Sequence, residues 1–248
     1  MYNFFVDIND KQDSTFLIKG SDYNHLVNVL RFKKGEEFLV TCNGISNLCS
    51  LEEILSDTAV CKILVEDYQN TELPIKIHLF QGLPKSDKLE LIIQKAVELG
   101  VYEIIPTEMA RCIVKFDDKK KSSKIERFNS ISESAAKQSK RNVIPKVLDV
   151  LSYKSALEYA KNLDILLVPY ECENGMESTK TALAEIKKGM SVGVIIGSEG
   201  GFDEKEIQMA KELPNARVIS LGKRILRTET AAISTISSLM MHAELNLE

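Results

Sequence analysis

The chain has 248 residues, 44% of them hydrophobic and 27% charged, which is enough for one large domain or two smaller ones with buried cores. The net charge of −4 argues against a uniformly nucleic-acid-binding surface, and no apolar run approaches the length of about 18 residues that a membrane span needs. The N-terminus shows no basic region followed by an apolar stretch, so we expect a cytoplasmic protein. Scattered cysteines without a CxxC pair and three separated histidines predict no disulfide framework and no metal site.

The first 70 residues contain brief apolar runs separated by Gly, Asn and Asp, a pattern that predicts short β-strands. One predicted helix, SDYNHLVNVLRFKKG at 21–35, interrupts them and ends at Gly35. This arrangement is typical of a small β-barrel of a kind that often binds RNA. The segment YQNTELP at 68–74 predicts a linker to the remainder of the chain.

From residue 74 onward, predicted strands and helices alternate, which is typical of a mostly parallel α/β sheet. Ligands in such sheets bind beyond the carboxyl ends of the strands. Three strand ends are therefore candidates for a site, namely VPYE, IIGSEGG and ISLGKRILRTET. A long helix, ETAAISTISSLMMHAELN, follows the last of them.

The segment from Arg111 to Lys146 is strongly basic, with eleven Lys and Arg residues against four acidic residues. On a mildly acidic protein, such a segment can bind a polyanion locally. A solvated helix face rich in lysine explains the same composition, and the sequence does not decide between the two.

The glycine-rich stretch IIGSEGGF at 195–202 fits neither the dinucleotide fingerprint nor the phosphate loop, and Glu199 would repel a pyrophosphate. The glycines then predict either close backbone approach to a ligand poor in phosphate or turns with positive φ. Asp203 and Glu206 have the spacing of a capping box at the start of the next helix. A turn whose glycines serve geometry alone remains the alternative.

The last loop, SLGKRILRTETAAIS, places two apolar residues, Ile225 and Leu226, directly before Arg227. Thr228 then has the position and residue type of a helix N-cap. This composition suits the apolar wall of a pocket into which a positive charge points.

The two motifs IIGSEGGF and LGKRILRTETAAI closely resemble the cofactor motifs of the SPOUT class of knotted methyltransferases. Within that class the chain resembles the ribosomal RNA small subunit methyltransferase E family. HLVNVLRFKKGEEF is similar to the N-terminal signature of that family, and LPKSDKLELIIQKAVELGV and AAKQSKRNVIP are similar to its central motifs. The resemblance covers nearly the whole chain.

This resemblance implies a PUA-like β-barrel at 1–70, followed at 74–248 by an α/β SPOUT domain with a C-terminal trefoil knot. It also implies S-adenosylmethionine as the cofactor, a homodimer, and methylation of N3 of a uridine in 16S ribosomal RNA of the small subunit. The glycines would then let the backbone close on a cofactor without phosphate, with Glu199 near its cationic parts.

The resemblance also assigns roles to residues at matching positions. Arg227 would stabilise the uracil anion, and Glu229 would accept the proton or orient Arg227. Cofactor binding is implied for Leu167, Pro169, Glu171, Ile196, Gly197, Glu199, Gly200, Gly201, Leu221, Gly222, Ile225 and Leu226. RNA binding is implied for Arg31, Lys85, Lys88, Lys95, Arg111, Gln138 and Arg141. Two other functions stay open: methylation of a ribose 2′-hydroxyl in another RNA, and a non-catalytic RNA-binding factor in ribosome assembly.

Overall fold

A computed structural model of the chain describes residues 1–114, 118–170 and 175–247, except for the side chains of residues 118–120. The chain forms two compact units, one of Met1–Glu72 with Ala136–Ile144 and one of Leu73–Ala135 with Pro145–Glu248. Within the described residues, no helix combines the length and the apolar character that crossing a membrane requires.

The first unit is built on a six-stranded sheet, whose strands are β1 (Asn3–Phe5), β2 (Lys11–Gln12), β3 (Thr15–Lys19), β4 (Glu37–Cys42), β5 (Ile45–Ile54) and β6 (Thr58–Gln69). A short 3₁₀ helix, Ile8–Asp10, lies between β1 and β2. The strand order is β1-β4-β5-β6-β3-β2; β1 is parallel to β4, and the other neighbours are antiparallel. Short β-strands are what the brief apolar runs of this segment predict.

Side chains from five of the six strands share one core in this unit, so the sheet must curve around it. The core includes Phe4 of β1, Phe16 of β3 and Phe38 of β4, each no more than 1% exposed. Phe4 and Phe38 meet edge to face, with their ring centroids 5.5 Å apart. In β3 and in the first part of β6, buried residues alternate with more exposed ones, as a strand with one dry face requires.

The helical segment between β3 and β4 is shorter than the predicted helix at 21–35. It consists of α1 (Gly20–Asn24) and one π-helical turn, His25–Val29, and buries Leu26 in the core. Arg31 adopts a left-handed backbone with φ 57°, which cannot continue a right-handed helix. The predicted end at Gly35 was therefore wrong.

The boundary between the two units, Glu72/Leu73, falls inside the predicted linker at 68–74, and the part up to Glu72 is tied into the first unit. Strand β6 continues to Gln69, whose carbonyl accepts a hydrogen bond from Asn142 Nδ2 at 3.0 Å. Asn142 Oδ1 accepts hydrogen bonds from the backbone N–H and the hydroxyl of Thr71, each at 3.0 Å. Buried Arg141 forms an ion pair with Glu72 at 2.5 Å. Residues 136–144 thus fix this segment in place.

The second unit is built on a parallel sheet whose strands are β7 (Lys76–Gly82), β8 (Val101–Glu108), β9 (Lys146–Val147), β10 (Leu151–Ser152), β11 (Ile165–Pro169), β12 (Ser191–Ile196) and β13 (Ala216–Ile219). The order is β10-β8-β7-β12-β11-β13, and β9 pairs with β8. Every pairing in this sheet is parallel, as the alternating pattern predicts. The mixed α/β class is therefore confirmed, whereas the trefoil knot stays a prediction.

Among the described residues, six helices lie wholly or partly in this unit: α2 (Lys88–Glu98), α3 (Asp118–Ser139), α4 (Tyr153–Ala160), α5 (Glu177–Glu185), α6 (Glu204–Lys211) and α7 (Thr228–Asn246). Helices α4 and α6 share a buried cluster with Phe80 of β7 and Ile195 of β12. Helices α2 and α7 contact each other, and α7 also packs on β7 and β12. The alternate residues Leu79 and Val194 are buried as well, so both faces of the central strands are covered.

Candidate functional site

A cavity of about 350 Å³ lies at the carboxyl ends of β11, β12 and β13, where the three predicted loops converge. Its apolar walls come from the ends of these strands and from the loop before α7. Its lining residues are Lys88, Pro169, Tyr170, Ile196, Gly197, Ser198, Glu199, Gly201, Phe202, Leu221, Gly222, Arg224, Ile225, Leu226, Arg227, Thr228 and Ala231.

The glycine loop, which we define as Gly197–Gly201, turns back on itself at the end of β12. The Gly201 N–H donates to Ser198 O at 2.9 Å, and Gly201 has a φ of 67°. A Cβ on Gly197 would lie 3.0 Å from the Gly201 carbonyl carbon. The two glycines therefore allow a turn that larger residues would strain, and the turn presents backbone atoms to the cavity.

The glycine loop is fixed to the helix that follows it. Asp203 and Glu206 form the predicted capping box at the start of α6. The Glu206 carboxylate also accepts a hydrogen bond from the Ala110 N–H at 2.7 Å, and Tyr153 donates to the Glu206 carbonyl at 2.8 Å. These bonds hold the exit of the loop rigidly, which preorganises the cavity wall.

The last loop joins the glycine loop through Thr228. This residue is not the N-cap of α7, as predicted, but its first helical residue, and Arg227 occupies the N-cap without a side-chain capping bond. The Thr228 hydroxyl instead donates to Gly197 O at 2.7 Å and accepts from Gln81 Nε2 at 2.9 Å. It is buried, so its bonding partners are fixed by the fold rather than by local helix capping.

Lys88, the first residue of α2, brings two acidic residues together at one side of the cavity. Its Nζ lies 3.0 Å from Glu199 Oε1 and 3.4 Å from Glu229 Oε2. The hydrogen bond to Glu199 raises the pKa of the Lys88 ammonium. Burial works against ionisation of Glu199, but the Lys85 N–H and the Lys88 ammonium outweigh it and lower the pKa of this carboxyl. The Lys88 ammonium and the Glu199 carboxylate are therefore both charged at neutral pH.

Nine of the twelve residues predicted to bind the cofactor line the cavity. Leu167 does not, because it is a core residue of β11 with 1% exposure. Gly200 does not either; its carbonyl accepts a hydrogen bond from Arg111 Nη1 at 3.1 Å. Glu171 lies outside the described residues. Arg227, predicted to be catalytic, lines the cavity, and Glu229 adjoins it through Lys88.

The residues predicted to bind RNA have different surroundings. Four of them are exposed, namely Arg31, Lys85, Arg111 and Gln138. Lys95 pairs with Glu98 on its own helix at 2.8 Å. The Arg141 side chain is 3% exposed and committed to Glu72, so an RNA contact would require that pair to open. Lys88 faces the cavity and two carboxylates. The RNA contacts stay predictions.

Several cavity residues were not among the predicted site residues: Tyr170, Ser198, Phe202, Arg224, Thr228 and Ala231. Most of them lie inside the motifs that identified the loops, so their position in the sequence was a usable signal. Within the described residues, no three His, Cys, Asp or Glu side chains are grouped as metal ligands.

Comparison with known proteins identifies this arrangement. The sequence model of the RNA methyltransferase domain family matches residues 71–240, and that of the RNA methyltransferase PUA domain family matches residues 18–64. The chain is 38% identical over 253 residues to ribosomal RNA small subunit methyltransferase E of Bacillus subtilis (strain 168), covering 99% of this chain and 98% of that relative. The chain belongs to the ribosomal RNA small subunit methyltransferase E family. The resemblance found in the sequence is thus confirmed.

Solved structures agree with membership in the methyltransferase E family. The structure of ribosomal RNA small subunit methyltransferase E from Neisseria gonorrhoeae, bound to S-adenosylmethionine, matches with a TM-score of 0.80, 30% identity and 97% coverage of each chain. A protein from Legionella pneumophila, in complex with the bound cofactor S-adenosylmethionine, matches with a TM-score of 0.82, 28% identity and 96% coverage of each chain.

Proposed function

We propose that the chain transfers the methyl group of S-adenosylmethionine to N3 of a uridine in the 16S ribosomal RNA of the small ribosomal subunit. The observation that carries this proposal is the cavity, because the two cofactor motifs of the family form it together at the ends of β11, β12 and β13. The names of the relatives support the RNA substrate, and the two structures with bound S-adenosylmethionine support the cofactor.

The residues of the cavity fit this cofactor. Ile196, Leu221 and Leu226 offer apolar contact, and the Glu199 carboxylate complements a positively charged ligand without phosphate. The Ser198 hydroxyl is buried and has no hydrogen-bond partner among the described residues, as expected of a group that serves a ligand. When bound, S-adenosylmethionine supplies a methyl group on a cationic sulfur, which a nucleophile can attack directly.

Uracil N3 is a poor nucleophile while it carries its proton, so the site must favour the anion. Arg227 stands at the cavity directly before α7, and its exposed guanidinium has no partner among the described residues. We assign to it the stabilisation of the developing imide anion. The N-terminus of α7 carries a partial positive charge at the same place and acts in the same direction.

Glu229 is the candidate proton acceptor. It lies in the first turn of α7, its side chain is 15% exposed, and its Oε2 has no hydrogen bond among the described residues. A carboxylate that is largely buried and incompletely bonded is a candidate for acid–base chemistry. The chain also aligns the reactants. Holding uracil N3 in line with the methyl donor can supply about 7–11 kcal/mol of the barrier.

We further propose that the protein works as a homodimer in the cytoplasm, with residues 1–70 binding RNA and residues 74–248 carrying out the transfer. The exposed apolar side chains of Met241 and Leu245 on α7 support a protein partner. The match of an RNA methyltransferase PUA domain to residues 18–64 supports the role of the first segment. The exposed Arg31 and Arg111 are phosphate contacts that give affinity without sequence information.

The test is methyl transfer from labelled S-adenosylmethionine to small ribosomal subunits from cells that lack this protein, followed by nucleoside mass spectrometry. We expect 3-methyluridine with the wild type. We expect none with Arg227→Ala, whose cofactor affinity, measured by calorimetry, should stay nearly unchanged. A methylated ribose would move the function to the 2′-hydroxyl, and cofactor binding without transfer to any RNA would indicate a binding factor. Loss of cofactor affinity in Arg227→Ala would contradict its catalytic role.

A further inference from the structure

Lys88 has surroundings that differ from those of an RNA phosphate contact. Its side chain is 30% exposed, lines the cavity and lies within 3.4 Å of two carboxylates from distant parts of the chain. One of these, Glu199, belongs to the glycine loop, and the other, Glu229, belongs to α7. An ammonium already paired with two carboxylates has little charge left to offer to a phosphate.

Lys85 and Lys88 hold the Glu199 carboxylate through the same oxygen. Oε1 accepts the Lys88 ammonium at 3.0 Å and the Lys85 backbone N–H at 3.0 Å. The bonds from Lys85 and Lys88 do not use Oε2, and Glu199 is part of the cavity lining. Lys88 and the Lys85 backbone therefore orient Glu199 so that one oxygen stays available to a ligand.

Glu229 depends on Lys88 more strongly. Among the described residues, Lys88 is the cation that forms an ion pair with it, and Glu229 Oε2 has no hydrogen bond. Without this cation, two carboxylates would face each other at the cavity with no charge between them. Repulsion would then separate them or favour protonation of one.

We propose that Lys88 is a positioning residue for methyl transfer, which fixes the carboxylates of Glu199 and Glu229 in their places beside the cavity. This inference rests on the proposed function. Glu199 belongs to the cofactor side of the site and Glu229 to the side that receives the uracil proton, so a single ammonium sets their relative position. The role requires a cation at this position rather than any contact with RNA.

The experiment compares Lys88→Met, Lys88→Arg and the control Lys180→Met in the full-length chain. Lys180 is 79% exposed, and its 3.8 Å pair with Glu177 lies on the surface of α5. The measurements are kcat and the KM for small subunits, cofactor affinity by calorimetry, and melting temperature. We expect Lys88→Met to lower kcat by about 10²-fold, the effect of misplacing a reacting group by about 1 Å, with the KM for subunits unchanged.

Rescue distinguishes positioning from a merely structural role. The forked guanidinium of Lys88→Arg can reach two carboxylates, so kcat should return to within about tenfold of the wild type. The proposal is overturned if Lys88→Met raises only the KM for subunits, which would indicate a phosphate contact. It is also overturned if both variants lose kcat and melting temperature alike. An inactive wild type would refute the proposed function together with this role, whereas unchanged kcat in Lys88→Met would refute this role alone.

Discussion

The hydroxyl of Thr228 links the two loops of the cavity, and its removal should weaken both the fold and cofactor binding. Thr228 is 5% exposed, donates to Gly197 O at 2.7 Å and accepts from Gln81 Nε2 at 2.9 Å. Valine has a similar shape but cannot make either bond. Thr228→Val would therefore leave the Gly197 carbonyl without this donor, while Gln81 Nε2 keeps its second bond, to Gly82 O.

The expected magnitude follows from these contacts. One buried carbonyl without its donor costs about 1–3 kcal/mol, and we take about 2 kcal/mol for this substitution. For a unit of this size, that loss lowers the melting temperature by about 4–8 °C. Because Gly197 lines the cavity, its displacement should also reduce the affinity for S-adenosylmethionine.

The same helix supplies a matched control. Thr235 is 2% exposed, and its hydroxyl donates to Ala231 O at 2.7 Å. This carbonyl is also the acceptor for a backbone N–H of the helix, so Thr235→Val leaves it bonded and should cost less than about 1 kcal/mol. Scanning calorimetry and isothermal titration with the cofactor compare the two variants. Equal melting temperatures, or equal affinities, would refute the assignment of Thr228 as the link between the loops.

Two further predictions concern the second unit. Burial alone would raise the pKa of Glu103, but hydrogen bonds from His78 and Tyr159 outweigh it and lower this pKa. Its ionised form thus adds stability above the unfolded pKa of about 4.3, which is lost as pH falls through the folded pKa. Glu103→Gln should lower the melting temperature at neutral pH and flatten its decline in acid; parallel curves would contradict this. In Gly82→Ala, the methyl group would lie 2.7 Å from a backbone nitrogen of the glycine loop, so cofactor affinity should fall. In the control Gly193→Ala, the added methyl group would contact only the ends of side chains, so this variant should keep the wild-type cofactor affinity.

Local patterns in the sequence predicted the elements and the place of the site well. Apolar runs indicated the strands, because a strand buried on one or both faces must repeat hydrophobic residues at short spacing. The capping box of Asp203 and Glu206 was readable because both partners lie within one helical turn. The convergence of the three loops followed from the parallel sheet alone, since the carboxyl ends of its strands meet at one edge.

Contacts between distant residues could not be predicted in this way. Thr228 has the residue type of a helix cap, but its hydroxyl bonds to Gly197, 31 positions away. Lys88 meets Glu199 across 111 positions, so its charge alone suggested a surface cation. Arg141 lies in the most basic segment of the chain, yet its partner is Glu72. The residue type determines which hydrogen bonds and ion pairs a side chain can form, whereas the fold determines which partners lie within reach.

Two buried polar atoms connect the packing of the second unit with its cavity. Gln81 Oε1 and Ser198 Oγ are buried, and neither has a hydrogen-bond partner among the described residues. A buried polar group without a partner costs about 1–3 kcal/mol. Ser198 lines the cavity, and Gln81 bonds to Thr228, which lines it too. A ligand in the cavity that bonds to the Ser198 hydroxyl would recover the cost of leaving that hydroxyl unpaired, so the stability of this wall and ligand binding are coupled at Ser198.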